Sequence, residues 1–69
     1  MEKVALDGRE RSNIKIGTKV MVVKKEDQRT ENLTEGFVAR ILTNASFHPH
    51  GIKVELLSGT VGRVKQIIG

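Results

Sequence analysis

Two histidines and a set of basic side chains carry most of the reactive chemistry in this 69-residue chain. His48 and His50 flank Pro49, and two imidazoles one residue apart can bind one metal ion when the chain is extended. A structural zinc site usually needs four protein ligands and a catalytic one needs three, but the sequence has no cysteine and only these two histidines. Carboxylates such as Glu55 or Asp27 would have to complete the site. We therefore predict that no metal is bound and that the histidines belong to a loop.

Motifs for catalysis are missing from the sequence. It has no glycine-rich phosphate loop, no nucleophile-elbow context for a serine or threonine, and no paired carboxylates that differ from ordinary surface acids. The absence of cysteine also excludes a thiol nucleophile. We predict a protein that is not an enzyme and that has no catalytic residues and no cofactor.

Basic residues give the strongest functional signal. Twelve Lys and Arg against eight Asp and Glu give a formal net charge of +4, which favours an anionic partner. The surplus lies near the first strand and in the C-terminal half, where outward strand positions are basic. A like-charge pair at directly opposite strand positions is unfavourable unless an anion such as phosphate lies over it. The predicted nucleic-acid contacts are Lys19, Arg40, Lys53, Arg63 and Lys65.

A second set of candidate residues lies in two long loops. Arg29 belongs to the polar segment 24–32, and Phe47, His48 and His50 belong to a loop over residues 43–51. Phe47 either caps the domain or offers an anchor to a partner. A protein-interaction module that docks through these loops is therefore the alternative to nucleic-acid binding, because one buried aromatic residue can dominate a protein contact.

The elements that position these residues are predicted to be strands. Eight Val and six Ile outnumber five Leu, and β-branched residues favour a pleated sheet. The first strand covers about residues 19–24, and a second covers residues 33–43 with a bend at Gly36. Phe37 shares one side of that strand with Ala39 and Ile41, which predicts a core position for its ring.

The clearest strand follows the second loop, where Ile52, Val54 and Leu56 alternate with other residues. A three-residue turn over residues 57–59 then joins it to the last long strand. This turn length puts Lys53 opposite Arg63 on the outer face and keeps apolar residues opposite each other inside. Residues 67–68 close the chain as a helical turn or a further strand.

These elements predict a mainly β protein, a small SH3-like antiparallel barrel of about five short strands. An OB-fold is the alternative, but it usually needs a longer chain. We predict a flexible N-terminal arm over residues 1–11 and a single barrel domain over residues 12–69. The longest apolar run has four residues, against roughly 20 for a membrane span, so we predict no membrane partner. Without cysteine, a reducing cytoplasm is the expected location. We also predict a monomer.

Five short segments form a combination that is more specific than any one of them alone. They are DQRT (27–30), LTEG (33–36), ILTN (41–44), HPHGIKV (48–54) and GTVGRV (59–64). Taken together, they resemble the YwbE family of small, uncharacterised microbial proteins. The glycine and valine pattern is also similar to KOW and other SH3-like modules of ribosomal and transcription proteins. That likeness implies contact with RNA or a ribonucleoprotein by analogy. We predict a binding module for one of these partners that acts through its basic face.

Overall fold

Four β-strands and one short 3-10 turn form the regular structure of the residues described by the computed structural model, which are residues 8–25 and 32–69. The turn spans Arg11–Asn13. The strands follow as β1 (Lys19–Lys24), β2 (Thr34–Ile41), β3 (Lys53–Leu56) and β4 (Val61–Ile67). The first strand has the predicted bounds, and Arg29 lies outside the described residues.

The strands close into a barrel in the order β1-β2-β3-β4, with β4 returning to β1 and every pairing antiparallel. This confirms the predicted mainly β class and the small antiparallel barrel. It has four strands instead of about five, because the apolar end of the chain extends β4. Ile67 pairs with Val20, and a register shift between Met21 and Val22 bends the ladder so that β4 follows β1.

Alternate strand residues fill the interior of the barrel. Ile52, Val54 and Leu56 are buried, as their spacing of two predicts. Their side chains pack in one cluster with residues from before β1 and from the other three strands, namely Ile14, Val20, Val22, Val38, Val64 and Ile67. The intervening residues of β3 and β4 therefore point outward, which is where the basic side chains lie.

The turn between β3 and β4 has three residues, 57–59, as predicted. Leu56 donates its N–H to the carbonyl of Thr60 at 2.8 Å, and Gly59 takes a φ of 92°, which favours glycine. The resulting register places Lys53 opposite Arg63, which confirms the expected like-charge neighbours. The two cations lie side by side on the outer face of the barrel.

The predicted core position of Phe37 is wrong, because its side chain is 47% exposed. A register shift lies between Val38 and Arg40, where β2 pairs with β3. Strict alternation would put Phe37 and Ile41 on one side. The shift instead turns Ile41 towards the core on the same side as Val38, and the ring of Phe37 stays outside.

Residues 8–11 of the predicted N-terminal arm make backbone contacts with the barrel. Ile52 donates its N–H to the carbonyl of Gly8 at 3.0 Å, and Arg11 donates its N–H to the carbonyl of Ser46 at 2.8 Å. Glu10 also forms an isolated β-bridge with Phe47. Residues 1–7 lie outside the described residues, so the division of the chain at residue 12 stays a prediction.

Candidate functional site

The loop between β2 and β3 forms a tight turn at the two histidines. Gly51 donates its N–H to the carbonyl of His48 at 3.0 Å, and the N–H of His50 reaches Nδ1 of His48 at 3.2 Å. Gly51 has a φ of 102°, and a Cβ atom at this position would overlap the carbonyl oxygen of Val64. Glycine is therefore required here, because the turn lies directly against the backbone of β4.

Two basic residues of β4 hold this turn through its carbonyl groups. Arg63 donates from Nη1 to the carbonyl oxygen of Gly51 at 3.0 Å, and Nζ of Lys65 lies 3.4 Å from the carbonyl oxygen of His50. A carbonyl is neutral, so these contacts orient both cations and leave their full charges in place. The other donors of the guanidinium and ammonium groups can bind an anion.

Two further basic residues contact Thr43, at the start of the same loop. Arg11 donates from Nε to the carbonyl oxygen of Thr43 at 3.0 Å, and Lys53 donates its backbone N–H to Oγ1 of Thr43 at 2.8 Å. Lys53 lies opposite Arg63. We call the side chains around this loop the loop cluster, and its members are Arg11, His48, His50, Lys53, Arg63 and Lys65.

Arg11 is the member of the loop cluster that sequence reasoning missed. In the sequence it lies among residues whose charges cancel, directly after Glu10. The β-bridge between Glu10 and Phe47 brings this segment to the loop, and the hydrogen bond to Thr43 then fixes the side chain. No local pattern in residues 1–11 carries this information, because the pairing joins segments more than thirty residues apart.

His48 has a lowered pKa. Partial burial disfavours its charged form, and the nearby charges of Arg63 and His50 lower the pKa of the ring further. The ring is therefore neutral at pH 7. Because Nδ1 accepts the hydrogen bond from His50, the proton of the neutral ring lies on Nε2, which can donate to an oxygen ligand. The two imidazole centroids are 5.7 Å apart.

Phe47 lies next to the loop cluster with its ring 48% exposed. The guanidinium carbon of Arg9 lies 5.6 Å from the ring centroid, within the range of a cation–π contact. The ring is thus neither a buried cap nor a fully free platform. Half of it is available to a partner.

The other two predicted basic contacts are paired with acids. Both Nε and Nη2 of Arg40 bind the same carboxylate oxygen of Glu55, at 2.9 and 2.8 Å, and Nζ of Lys19 lies 3.1 Å from Glu35. Lys19 also lies apart from the loop cluster, at the start of β1. The structure therefore brings Lys53, Arg63 and Lys65 together with the histidines and leaves the remaining two predicted cations locally neutralised.

Within residues 8–25 and 32–69, no group of three or more His, Asp or Glu residues is arranged to hold a metal ion. No helix there is long and apolar enough to cross a bilayer.

Comparison with known proteins gives one family and one relative. Residues 7–67 match the model of a family described as uncharacterised conserved protein (DUF2196). The chain is also 51% identical over 63 residues to the uncharacterised protein YwbE of Bacillus subtilis (strain 168). That alignment covers 91% of this chain and 97% of the relative. No solved structure matches the chain.

Proposed function

We propose a function for this chain, which belongs to the family of uncharacterised conserved proteins DUF2196 and is YwbE-like. The proposed function is that of a non-enzymatic module that binds structured RNA or a ribonucleoprotein. The loop cluster is the proposed contact surface, and backbone phosphates are the proposed ligand groups. The observation that carries the proposal is the pair of contacts from Arg63 and Lys65 to backbone carbonyls, which fix two charged donors without neutralising them.

Phosphate suits this surface better than a carboxylate peptide or a neutral ligand. Lys53 and Arg63 are direct neighbours on adjacent strands, and a like-charge pair of this kind costs a few tenths to about 1 kcal/mol. A phosphate group between them removes the repulsion and offers several acceptor oxygens to both. Nε2 of His48 can donate a further hydrogen bond to the same ligand.

The aromatic residues favour backbone recognition over base recognition. The sequence contains no Trp and no Tyr, and its two Phe residues lie in different elements. Modules that read single-stranded bases use several aromatic rings on one face as stacking platforms. A surface with several cations and one half-exposed ring instead suits the shape and the phosphates of a folded RNA.

The test is RNA-hairpin binding measured at several salt concentrations. For about three or four neutralised phosphates, the logarithm of affinity should fall with the logarithm of salt concentration at a slope of roughly −2 to −4. The proposal fails if the slope is near zero or if the RNA does not bind at low salt.

Two triple variants separate local charge from net charge. One variant changes Lys53, Arg63 and Lys65 to glutamine, and the control changes Lys15, Lys19 and Arg40 to glutamine. Each variant removes three positive charges, and circular dichroism checks that both remain folded. We expect the first to lose RNA binding and the control to keep most of it. Equal losses would mean that the total charge, and not the loop cluster, drives binding.

A second candidate function is protein interaction through the loops, and the half-exposed ring of Phe47 favours it. The variant Phe47→Ala discriminates the two functions. A protein contact anchored by this ring would weaken by about 2 kcal/mol or more, while phosphate binding would change little. Pull-down with the wild-type protein, followed by affinity measurement with the variant, provides the readout.

A further inference from the structure

An open depression of about 790 Å³ lies between the end of β1 and the turn that joins β3 to β4. Its walls come from three strands and from that turn. The residues that line it are Val23, Lys24, Lys25, Lys53, Gly59, Thr60, Val61, Gly62 and Arg63. Two of them, Lys53 and Arg63, also belong to the loop cluster, so the depression continues directly from that surface.

The charged residues in the described part of the lining are all basic. Lys24 ends β1, Lys25 follows it, and Lys53 and Arg63 come from β3 and β4. None of the described residues that line the depression is acidic. Lys53 and Arg63 are direct partners on the outer face of β3 and β4, and Lys25, which follows the end of β1, lines the same depression.

The turn adds neutral donors and leaves the mouth open. Oγ of Ser58 donates to Oγ1 of Thr60 at 3.1 Å, so the hydroxyl proton of Thr60 stays available for a ligand. Gly59 has no atom within 4 Å of its ideal Cβ position, which leaves the tip of the turn uncrowded. At Gly62, by contrast, a Cβ atom would lie 2.7 Å from the carbonyl oxygen of Val23, which holds β4 close to β1.

We propose that this depression is a phosphate-binding subsite that adjoins the loop cluster. The inference rests on the proposed function for its natural occupant, which is a phosphate group of the RNA held by the loop cluster. The shared residues Lys53 and Arg63 connect the two, so that the backbone of one ligand passes from the histidine turn over β3 and β4 towards the end of β1.

Inorganic phosphate tests the subsite without RNA. It is titrated into ¹⁵N-labelled protein at low salt and constant pH, with sodium chloride of equal ionic strength as the reference. We expect saturable shifts of the backbone amides of Thr60, Val61 and Gly62. The variant Lys25→Gln should weaken these shifts. The control variant Lys15→Gln should not, because Lys15 lies before the start of β1. Absent shifts, or shifts that Lys25→Gln leaves unchanged, overturn the subsite.

RNA binding by Lys25→Gln distinguishes this inference from the proposed function, because Lys25 is not a member of the loop cluster. We expect an affinity loss of about three- to tenfold and a salt slope reduced by about one unit, because the variant loses one phosphate contact. If RNA binds the variant as it binds the wild type, the subsite is wrong and the proposed function stands. If phosphate shifts the expected amides but RNA does not bind, the proposed function fails and the subsite stands.

Discussion

Two groups of basic side chains on the same barrel differ in the oxygen that each one binds. Arg40 and Lys19 bind carboxylates, at 2.8 and 3.1 Å. Arg63 and Lys65 bind backbone carbonyls of the histidine turn, at 3.0 and 3.4 Å. A carboxylate cancels the charge of its partner, whereas a carbonyl only fixes its direction. Cations of equal formal charge are therefore unequal as ligand contacts.

This difference affects the proposed phosphate binding much more than it affects folding. An exposed ion pair such as that of Arg40 contributes only about 0.2–1 kcal/mol to stability, and salt weakens it. A phosphate that approaches Arg40 must compete with Glu55, whereas the guanidinium of Arg63 donates to the carbonyl of Gly51 and forms no ion pair with an acid of residues 8–25 and 32–69. The formal net charge of +4 counts both groups alike, and the arrangement of their partners separates them.

The largest effect on stability is expected from Gly51→Ala, which distorts the turn whose carbonyl groups bind Arg63 and Lys65. Alanine disfavours a φ of 102°, and its Cβ would overlap the backbone of Val64. We expect the free energy of unfolding to fall by about 3 kcal/mol or more, measured by urea denaturation. Gly59→Ala is the matched control, since it has a similar φ but open space, and should cost about 1 kcal/mol. Equal costs would mean that the turn does not press on β4.

The next largest effect is on RNA affinity, when one carbonyl-bound cation and one carboxylate-bound cation are removed in turn. Lys65→Gln should weaken RNA binding about three- to tenfold and reduce the salt slope by about one unit, because it removes a charge that no acid neutralises. Arg40→Gln should weaken binding by less than about twofold, since Glu55 already neutralises its guanidinium. Fluorescence anisotropy with a labelled hairpin measures both, and the reverse order would contradict the comparison.

A smaller gain of affinity is expected when the acid is removed instead. Glu55→Gln releases Arg40 beside Lys53, so RNA should bind about two- to fivefold more tightly, with a steeper salt slope. Glu35→Gln releases Lys19 at the start of β1, away from the loop cluster, and should produce a smaller gain. If the two variants behave alike, position relative to the cluster is irrelevant.

The smallest effect concerns the ionisation of His48. Arg63→Gln removes a positive charge near the ring, so the pKa of His48 should rise towards its ordinary value of 6.5, as measured by NMR titration of the ring protons. Arg40→Gln should leave that pKa unchanged. Because the pKa is lowered in the folded protein, the unfolded chain binds the proton first as the pH falls. The contribution of neutral His48 to the free energy of unfolding is therefore fully present above pH 6.5 and is lost as the pH falls below that value.

The sequence predicts the fold well where spacing and turn chemistry act locally. The alternation of Ile52, Val54 and Leu56 and the glycine at position 59 are enough to predict the register that places Lys53 opposite Arg63. Phe37 is predicted wrongly because a register shift on β2 interrupts the alternation, and such a shift depends on how the facing strands fit together.

The candidate site is predicted only in part. The types and outward positions of Lys53, Arg63 and Lys65 can be read from the sequence, and so can a loop at the histidines. Two contacts depend on which segments the fold brings together across the barrel. These are the ion pair of Arg40 with Glu55 and the hydrogen bond of Arg11 to Thr43. The partners of long, flexible Lys and Arg side chains depend on the residues that the fold brings near them. Composition alone therefore does not distinguish a cation paired with an acid from one that is not.

The closure of the barrel has a consequence for any protein partner. Each of the four strands already has a hydrogen-bonded neighbour on both sides, because β4 returns to β1. None of the four strands is therefore an edge strand, the usual place for an extended peptide to add a further strand. The same closure protects the barrel from edge-to-edge aggregation. The proposed recognition therefore uses side chains and turns, which can change without disturbing the hydrogen-bonded ring.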